Sequence, residues 1–212
     1  MKIIDLTHTV HRSIPVFPGD DPVQLDHIKT LGRDGFNDFR LTTGMHVGTH
    51  VDGPKHMTAD PHLIGQIPLE QFAGKGVLID VRGEGQIDFK QSFGTLVQPG
   101  DIVLLFSGIA TFFGTSNYFT DYPNITEGLA NFLVQQKVKM IGIDWPSPDH
   151  ESNLVHNILL KSNILILENL TNLIQLLNVP NFEIFAFPLK LETDSSLVRA
   201  VAVIDSCFSS DQ

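Results

Sequence analysis

Short apolar runs rich in β-branched residues recur along the chain, and turn-forming residues separate them. Runs of four to eight such residues are typical of strands, and several of these are apolar enough to be buried on both faces. We therefore predict a sheet with strands at residues 76–81, 101–106, 139–143, 163–167, 182–187 and 197–204, with a further short strand in residues 1–8.

Between these runs, two segments have helical spacing of their apolar residues. Residues 126–137 form one candidate helix, in which Thr126 is placed to cap the first turn. Residues 169–177 form the other, which must end before Pro180. A mixture of buried strands and amphipathic helices predicts an α/β fold with a central sheet.

The chain has no internal repeat, low-complexity tract or linker-like segment, so we predict one domain over residues 1–212. Three prolines fall within residues 15–22, which predicts an ordered loop rather than regular structure. Loops of this kind often border functional sites.

Composition narrows the possible partners. The net charge is -10, from 14 Lys and Arg against 24 Asp and Glu, which disfavours binding to a phosphate backbone. Neither a signal peptide nor an apolar stretch of about 20 residues is evident, so we expect a cytoplasmic protein that does not bind a membrane. Cys207 is the only cysteine, so any metal must be held by histidines and carboxylates.

Four of the nine histidines, His46, His50, His56 and His62, fall within seventeen positions. If this segment is extended, side chains alternate between two faces, and His46, His50, Asp52 and His56 point the same way. The sequence therefore predicts three imidazoles and a carboxylate gathered on one face of a strand.

Two histidines and an aspartate suit zinc and leave a coordination position open for water. We expect Gly48 and Gly53 to keep side chains away from the ion, and Pro54 to direct His56. A helical zinc motif is excluded because Val47 stands where its glutamate is required. The alternative is that these are surface or core histidines that bind no metal, on a strand rich in turns.

Two residues elsewhere are candidates to complete the site. His156 is a polar residue in an apolar surround, and Glu168 ends the apolar run 164–167, where a buried strand delivers a carboxylate to the edge of a sheet. Taken alone, each has a structural alternative: a hydrogen-bonded core histidine and a helix-capping glutamate.

These residues resemble a known family, the metal-dependent cyclase-like hydrolases that include bacterial kynurenine formamidase. The family motif is His-x-Gly-Thr-His-x-Asp-x-Pro-x-His, and this chain matches it at His46, Gly48, Thr49, His50, Asp52, Pro54 and His56. The similarity continues at residues 17–20, 142–144, 156, 166–170, 188–190 and 198–202, so it covers nearly the whole chain.

The resemblance implies a swivelling β/β/α fold with a mixed, barrel-like central sheet flanked by helices. It also implies one or two divalent ions, usually Zn²⁺ with Mn²⁺ as an alternative, no organic cofactor, and a homodimer.

The resemblance assigns roles to individual residues. His46, His50 and Asp52 are similar to the ligands of one ion, and Asp52 would bridge to a second ion held by His156 and Glu168. His56 is similar to the residue that transfers a proton.

The implied activity is hydrolysis of an aryl formamide such as N-formylkynurenine by metal-activated water, which would place the protein in tryptophan catabolism. Two alternatives share the fold: an isatin-type lactam hydrolase and a polyketide-type cyclase or dehydratase. A third alternative is a metal-dependent binding protein without turnover. In each case the expected partner is a small molecule.

Three segments depart from the family pattern. Phe17 stands where formamidases tend to have tryptophan, and we predict that it contacts the substrate. Residues 144–149 introduce Trp145 and two prolines, and residues 192–196 lack the glycines that are common there. Other aromatic residues are candidates for either pocket lining or core packing: Phe106, Phe112, Phe113 and Tyr118.

Overall fold

The structure is a computed structural model that describes residues 1–150 and 152–204, so Cys207 lies outside it. Within these ranges nine strands form one curled sheet and four others form two small sheets. The strands are β1 Lys2–Asp5, β2 Gln24–Lys29, β3 Asp38–Thr42, β4 His50–Asp52, β5 Ala73–Asp80, β6 Gln86–Ile87, β7 Ile102–Phe106, β8 Asn124–Ile125, β9 Met140–Ile143, β10 Leu165–Glu168, β11 Glu183–Phe185, β12 Ser195–Leu197 and β13 Val201–Ile204.

The large sheet has the order β1-β13-β11-β5-β7-β9-β10-β4-β12. Its centre, β5-β7-β9-β10, is parallel, whereas the strands on both sides of it run antiparallel to their neighbours. Strand β7 is buried throughout, and its side chains alternate between two hydrophobic clusters, one on each face of the sheet. This confirms the predicted α/β fold with a mixed, curled central sheet.

The helices are few and short: α1 Leu31–Asp34, α2 Phe93–Leu96, α3 Glu127–Gln136 and α4 Leu154–Lys161, with several 3-10 turns. Helix α3 confirms the first predicted helix, and the Thr126 side chain accepts a hydrogen bond from the backbone N–H of Leu129 as expected of an N-cap. No helix formed by the described residues is long and apolar enough to cross a membrane.

The second predicted helix, at residues 169–177, is wrong. Only a 3-10 turn forms there, at Leu173–Leu176. Asn169 and Asn172 both have positive φ values, 56° and 61°, and this left-handed backbone is incompatible with a continuous helix. Conversely, the sequence analysis does not predict helix α4, because it interprets the apolar residues of this segment only as the surroundings of His156.

The predicted strand at residues 197–204 is two strands in the structure. Strand β12 pairs with β4 at one edge of the sheet, while β13 lies between β1 and β11 near the other edge. Residues 198–200 connect them, with Val198 in an isolated bridge to Pro188. This split is important for the site, because it brings the segment just before β12 beside the histidine motif.

Strands β2 and β3 form a separate hairpin that was not predicted. All five residues of β3 are exposed, including Phe39 and Leu41. The hairpin thus presents apolar side chains to solvent.

Candidate metal centre

The structure brings the predicted ligand residues into one cluster beside the β10-β4 pair, where the parallel part of the sheet meets its antiparallel edge. Four of its members are almost fully buried: His50, Asp52, His156 and Glu168. The remaining two, His46 and His56, lie beside them at the wall of a cavity. His62, the fourth histidine of the dense segment, is outside the cluster and pairs with Asp60.

Backbone register explains why two of these residues meet. In the antiparallel pair β4-β10, His50 lies directly opposite Glu168. The His50 Nε2 atom is 3.4 Å from Glu168 Oε2 and 3.5 Å from Asp52 Oδ1. Side chains at facing positions of neighbouring strands are close by construction, so the buried run of β10 delivers Glu168 to the motif.

The predicted reason for the convergence of residues 46–56 is wrong, although the side chains do converge. Only His50–Asp52 is a strand. Before it the chain bends at Gly48, whose φ is 59°, and after it Pro54–His56 forms a 3-10 turn. His46 and His56 therefore reach the cluster through chain reversals, and their ring centroids lie 4.1 Å apart.

The structure gives the two motif glycines a packing role. A Cβ atom on Gly48 would lie 2.9 Å from Ile14 Cδ1, and one on Gly53 would lie 2.9 Å from the Asp194 carbonyl oxygen. Both glycines therefore permit close packing against neighbouring segments. At Gly53 the backbone N–H donates to that same Asp194 carbonyl at 3.0 Å.

Helix α4 supplies His156 in its first turn. Asp149, which precedes the helix, accepts hydrogen bonds from the backbone N–H groups of Val155 and His156 and from His156 Nδ1, at 2.8–2.9 Å. This leaves His156 Nε2 facing the cluster, 3.4 Å from Glu168 Oε1 and 3.9 Å from Asp52 Oδ2. Asp149 thus fixes both the helix start and the orientation of the ring.

Asp194 is a site residue that the sequence analysis missed. Its Oδ2 atom lies 3.0 Å from both His46 Nε2 and His56 Nδ1. It precedes β12, whose residue Ser195 faces Asp52 across the β4-β12 pair. A separation of 138 residues between Asp194 and His56 leaves no spacing signal, and only the strand pairing reveals the contact.

Each imidazole in the cluster is oriented by a partner on its outer side. His50 Nδ1 donates to the Gly48 carbonyl at 2.9 Å, which directs Nε2 inward. His46 Nδ1 lies 3.0 Å from Asp52 Oδ1, while its Nε2 contacts Asp194 and the Ser195 hydroxyl. Such outer partners set the tautomer and the aim of ligating histidines.

The chemistry of the cluster fits a divalent metal ion. Four buried atoms in it have no partner in hydrogen-bond geometry: His50 Nε2, both carboxylate oxygens of Asp52 and Glu168 Oε1. The 3.0 Å approach of His46 Nδ1 to Asp52 Oδ1 is therefore a close contact and not a hydrogen bond. Unpartnered buried polar atoms are costly unless something binds them. Ligand atoms around a tetrahedral zinc ion are about 3.3–3.4 Å apart, close to the 3.4–3.5 Å separations of His50 Nε2 from Asp52 and Glu168. Among the described residues, His50, Asp52 and Glu168 thus form one possible ligand set, and His46, Asp52 and His56 form another.

Electrostatics support the same interpretation. Burial lowers the pKa of His46 and of His156, but neighbouring carboxylates, chiefly Asp52 and Asp149, outweigh it and raise these pKa values to about 9 and about 10. Burial raises the pKa of Asp52, yet the imidazoles around it, His50 first, hold that pKa below its usual value. The buried carboxylates thus create a negative potential at the cluster, which favours a bound cation.

Above the cluster lies a cavity of about 310 Å³. Phe17, Phe113 and Phe119 contribute to its walls, and the Phe17 and Phe119 rings meet edge to face at 5.7 Å. The predicted substrate contact, Phe17, therefore lies at the cavity. Trp145 and Tyr118 are instead fully buried in the protein interior.

Comparison with known proteins agrees with this geometry. Residues 4–150 match the model of the Cyclase family, described as "Putative cyclase". A kynurenine formamidase from Bacillus anthracis is 30% identical over 206 residues, covering 94% of this chain and 96% of that protein. The chain belongs to the cyclase family. The predicted resemblance is thus confirmed.

Solved structures show the same fold. Isatin hydrolase A from Ralstonia solanacearum has a TM-score of 0.86 at 23% identity, over 96% of this chain and 92% of that one. A protein from Bacillus stearothermophilus described as a predicted metal-dependent hydrolase has a TM-score of 0.77 at 25% identity, over 96% and 98%. The predicted class, a metal-dependent amidohydrolase of the cyclase family, is confirmed at that level.

Proposed function

We propose that the protein hydrolyses a small aryl amide, with an aryl formamide such as N-formylkynurenine as the best candidate. The observation that carries this proposal is the group of unpartnered carboxylate and imidazole atoms at the base of a cavity with aromatic walls. Similarity to a kynurenine formamidase over nearly the full length of both chains supports the choice of substrate class.

The proposed ligands are those of the cluster. His46, His50 and Asp52 would hold one ion, and Asp52 would bridge to a second held by His156 and Glu168. We propose zinc, because imidazole and carboxylate donors suit this ion, with Mn²⁺ as the alternative. Once bound, the metal would polarise a carbonyl group and acidify water toward neutral pH.

His56 is the proposed proton-transferring residue. Its Nδ1–H donates to Asp194 at 3.0 Å, so the ring is held while Nε2 stays available to the substrate. Its pKa is lowered by burial in spite of the Asp52 carboxylate, which favours a neutral imidazole that accepts a proton. A proton taken up at Nε2 from water would pass to the nitrogen of the leaving amine.

The cavity walls would position the aryl group. Phe17 and Phe119, whose rings pack edge to face against each other, and Phe113 supply apolar lining for such a ring. Asp52 and Glu168 line the same cavity, so an aryl amide bound there would lie beside the metal cluster.

Purified protein loaded with zinc tests this proposal. We expect hydrolysis of N-formylkynurenine and of unsubstituted formanilide, lost on chelation and restored by added metal. Faster opening of isatin than cleavage of either formamide would instead support the lactam alternative, and product from a polyketide-type substrate would support cyclisation or dehydration. Stoichiometric metal without turnover of any substrate would support a binding protein.

Three wider expectations belong to the same proposal: a homodimer, a cytoplasmic location and a role in tryptophan catabolism. The last depends directly on the substrate assay, because only activity on N-formylkynurenine connects the protein to that pathway.

A further inference from the structure

The distribution of charge around the cavity is uneven. Among the described residues that line it, none is lysine or arginine. Its acidic lining residues are Asp20, Asp52, Asp149 and Glu168. Three of these have partners or an assigned role: Asp149 holds His156, and Asp52 and Glu168 face the metal cluster.

Asp20 differs from these three. It is exposed, and within the described part of the chain its carboxylate forms no ion pair. The Asp20 backbone N–H donates to the Phe17 carbonyl at 3.0 Å across a turn that Gly19 closes with a φ of 104°. This turn fixes a negative charge and an aromatic ring beside one another on the cavity wall.

We propose that Asp20 makes the site selective for aryl substrates that carry a positive charge. The inference rests on the proposed aryl amidase function. When the amide lies at the metal cluster and the ring contacts Phe17, a substituent on the far side of the ring points toward Asp20. An ammonium group there gains an opposite charge, whereas a carboxylate meets a like charge and no compensating lysine or arginine.

Three formanilides of similar size test this selectivity. They carry an aminomethyl, a carbamoyl or a carboxyl group at the meta position, and so are cationic, neutral and anionic at pH 7.5. For the zinc-loaded protein in 20 mM salt we expect kcat/KM to fall in that order, with about a tenfold ratio between cation and anion. Because the charge is exposed, 0.5 M salt should shrink the ratio to about threefold or less.

The decisive variant is Asp20→Asn, and Asp21→Asn is its matched control, because Asp21 is the next acidic residue but does not line this cavity. We expect Asp20→Asn to reduce the cation-to-anion ratio by about threefold or more, while Asp21→Asn keeps the parental ratio. Equal kcat/KM for all three substrates in the parent, or an unchanged ratio in Asp20→Asn, would overturn the proposal.

Failure of the proposed function gives a different result. If the neutral formanilide is not hydrolysed, the function is wrong, and the charge preference is then decided by binding. Calorimetric titration with the corresponding three acetanilides should give tighter binding of the cation to the parent than to Asp20→Asn. Equal affinities for the cation and the anion in the parent would refute the selectivity as well.

Discussion

Asp149 and Asp194 lie outside the ligand set, yet each holds an imidazole of the cluster by its outer nitrogen. A carboxylate in this position raises the basicity of the ring and prevents it from rotating. Asp149 lies just before helix α4 and Asp194 just before strand β12, and both orient imidazoles of the cluster. At the residue scale, the site therefore includes these two carboxylates in addition to the proposed metal ligands.

Replacing Asp149 with asparagine should weaken metal binding by about 10- to 100-fold, because His156 loses the charged acceptor that orients it. Zinc affinity measured by competition with a chelator tests this expectation. Asp60→Asn is the control, since Asp60 pairs with the exposed His62 outside the cluster. Equal zinc affinity in the two variants would contradict the positioning role of Asp149.

Replacing His56 with alanine should lower kcat by about 10²- to 10⁴-fold, the usual contribution of a general acid or base. Metal content should stay close to the parental value, because His56 is not among the proposed ligands. His62→Ala, which removes an exposed histidine of the same segment, should keep the parental kcat. Loss of metal in His56→Ala would show instead that His56 is a ligand.

His8 should make stability depend on pH. Burial lowers its folded pKa to about 4, below the ordinary value of 6.5. The folded state therefore favours the neutral ring. Above pH 6.5 the ring is neutral in both the folded and the unfolded state, and the free energy of unfolding is at its full value. As pH falls from 6.5 toward 4, the unfolded state takes up a proton that the folded state does not, so the free energy of unfolding decreases. Between pH 7.5 and 5 we expect a loss of about 1 kcal/mol after allowance for solvent screening.

The substitution His8→Phe isolates this effect because it keeps an aromatic ring against Phe113, which stacks on His8 at 3.7 Å. Denaturant unfolding at pH 7.5 and pH 5 gives the free energy of unfolding of each protein. The parent should lose about 1 kcal/mol more than the variant over this range. Equal losses of unfolding free energy in the parent and the variant would mean that the pKa of His8 is the same in the folded and unfolded states.

At the scale of elements, strand β9 lies within the parallel part of the sheet, and its residue Gly142 faces Leu104 of the adjacent strand β7. A Cβ atom on Gly142 would lie 2.5 Å from Leu104 Cδ2 and 2.8 Å from Leu170 Cδ1. Both leucines are fully buried. Close packing here keeps β9 in register with β10, the strand that carries Glu168.

The substitution Gly142→Ala should therefore lower the free energy of unfolding by about 1–3 kcal/mol through overpacking. Gly94→Ala is its control: no atom lies within 4 Å of the added Cβ, and the position is in helix α2, where alanine is favoured over glycine. Chemical denaturation should thus move the two variants in opposite directions. A neutral result for Gly142→Ala would show that the sheet relaxes around the extra methyl group.

At the scale of the whole molecule, the β2-β3 hairpin leaves large apolar side chains uncovered. Phe39 and Leu41 on β3, and Phe36 in the connection before it, are each about half exposed, and such a group of apolar side chains is typical of an interaction surface. A homodimer would give these residues a partner surface.

Light scattering coupled to gel filtration should find a dimer at micromolar concentration, and Phe39→Ser should shift it toward monomer by removing buried apolar area. Ile174→Ser changes a side chain of similar exposure outside the hairpin and should leave the dimer intact. A monomeric parent would contradict the expected homodimer, and a dimeric Phe39→Ser variant would exclude the hairpin as its main contact.

The sequence by itself determined the buried strands, helix α3 and the chemical nature of the site. Apolar runs such as residues 102–106 leave few alternatives to a buried strand, because their side chains must avoid water on both faces. The dense histidine motif likewise indicates metal chemistry, because its residue types and their spacing lie within one short segment and can be recognised without the fold.

Only the tertiary structure decided how these residues meet. Strand pairing placed Glu168 opposite His50 and brought Asp194 to His56, contacts between segments more than 100 residues apart. Positive φ values at asparagines prevent the predicted helix at residues 169–177. In the histidine motif at residues 46–56, chain reversals take the place of the predicted extended strand. Periodicity in a sequence reports on local geometry, whereas such long-range contacts depend on which elements pack together.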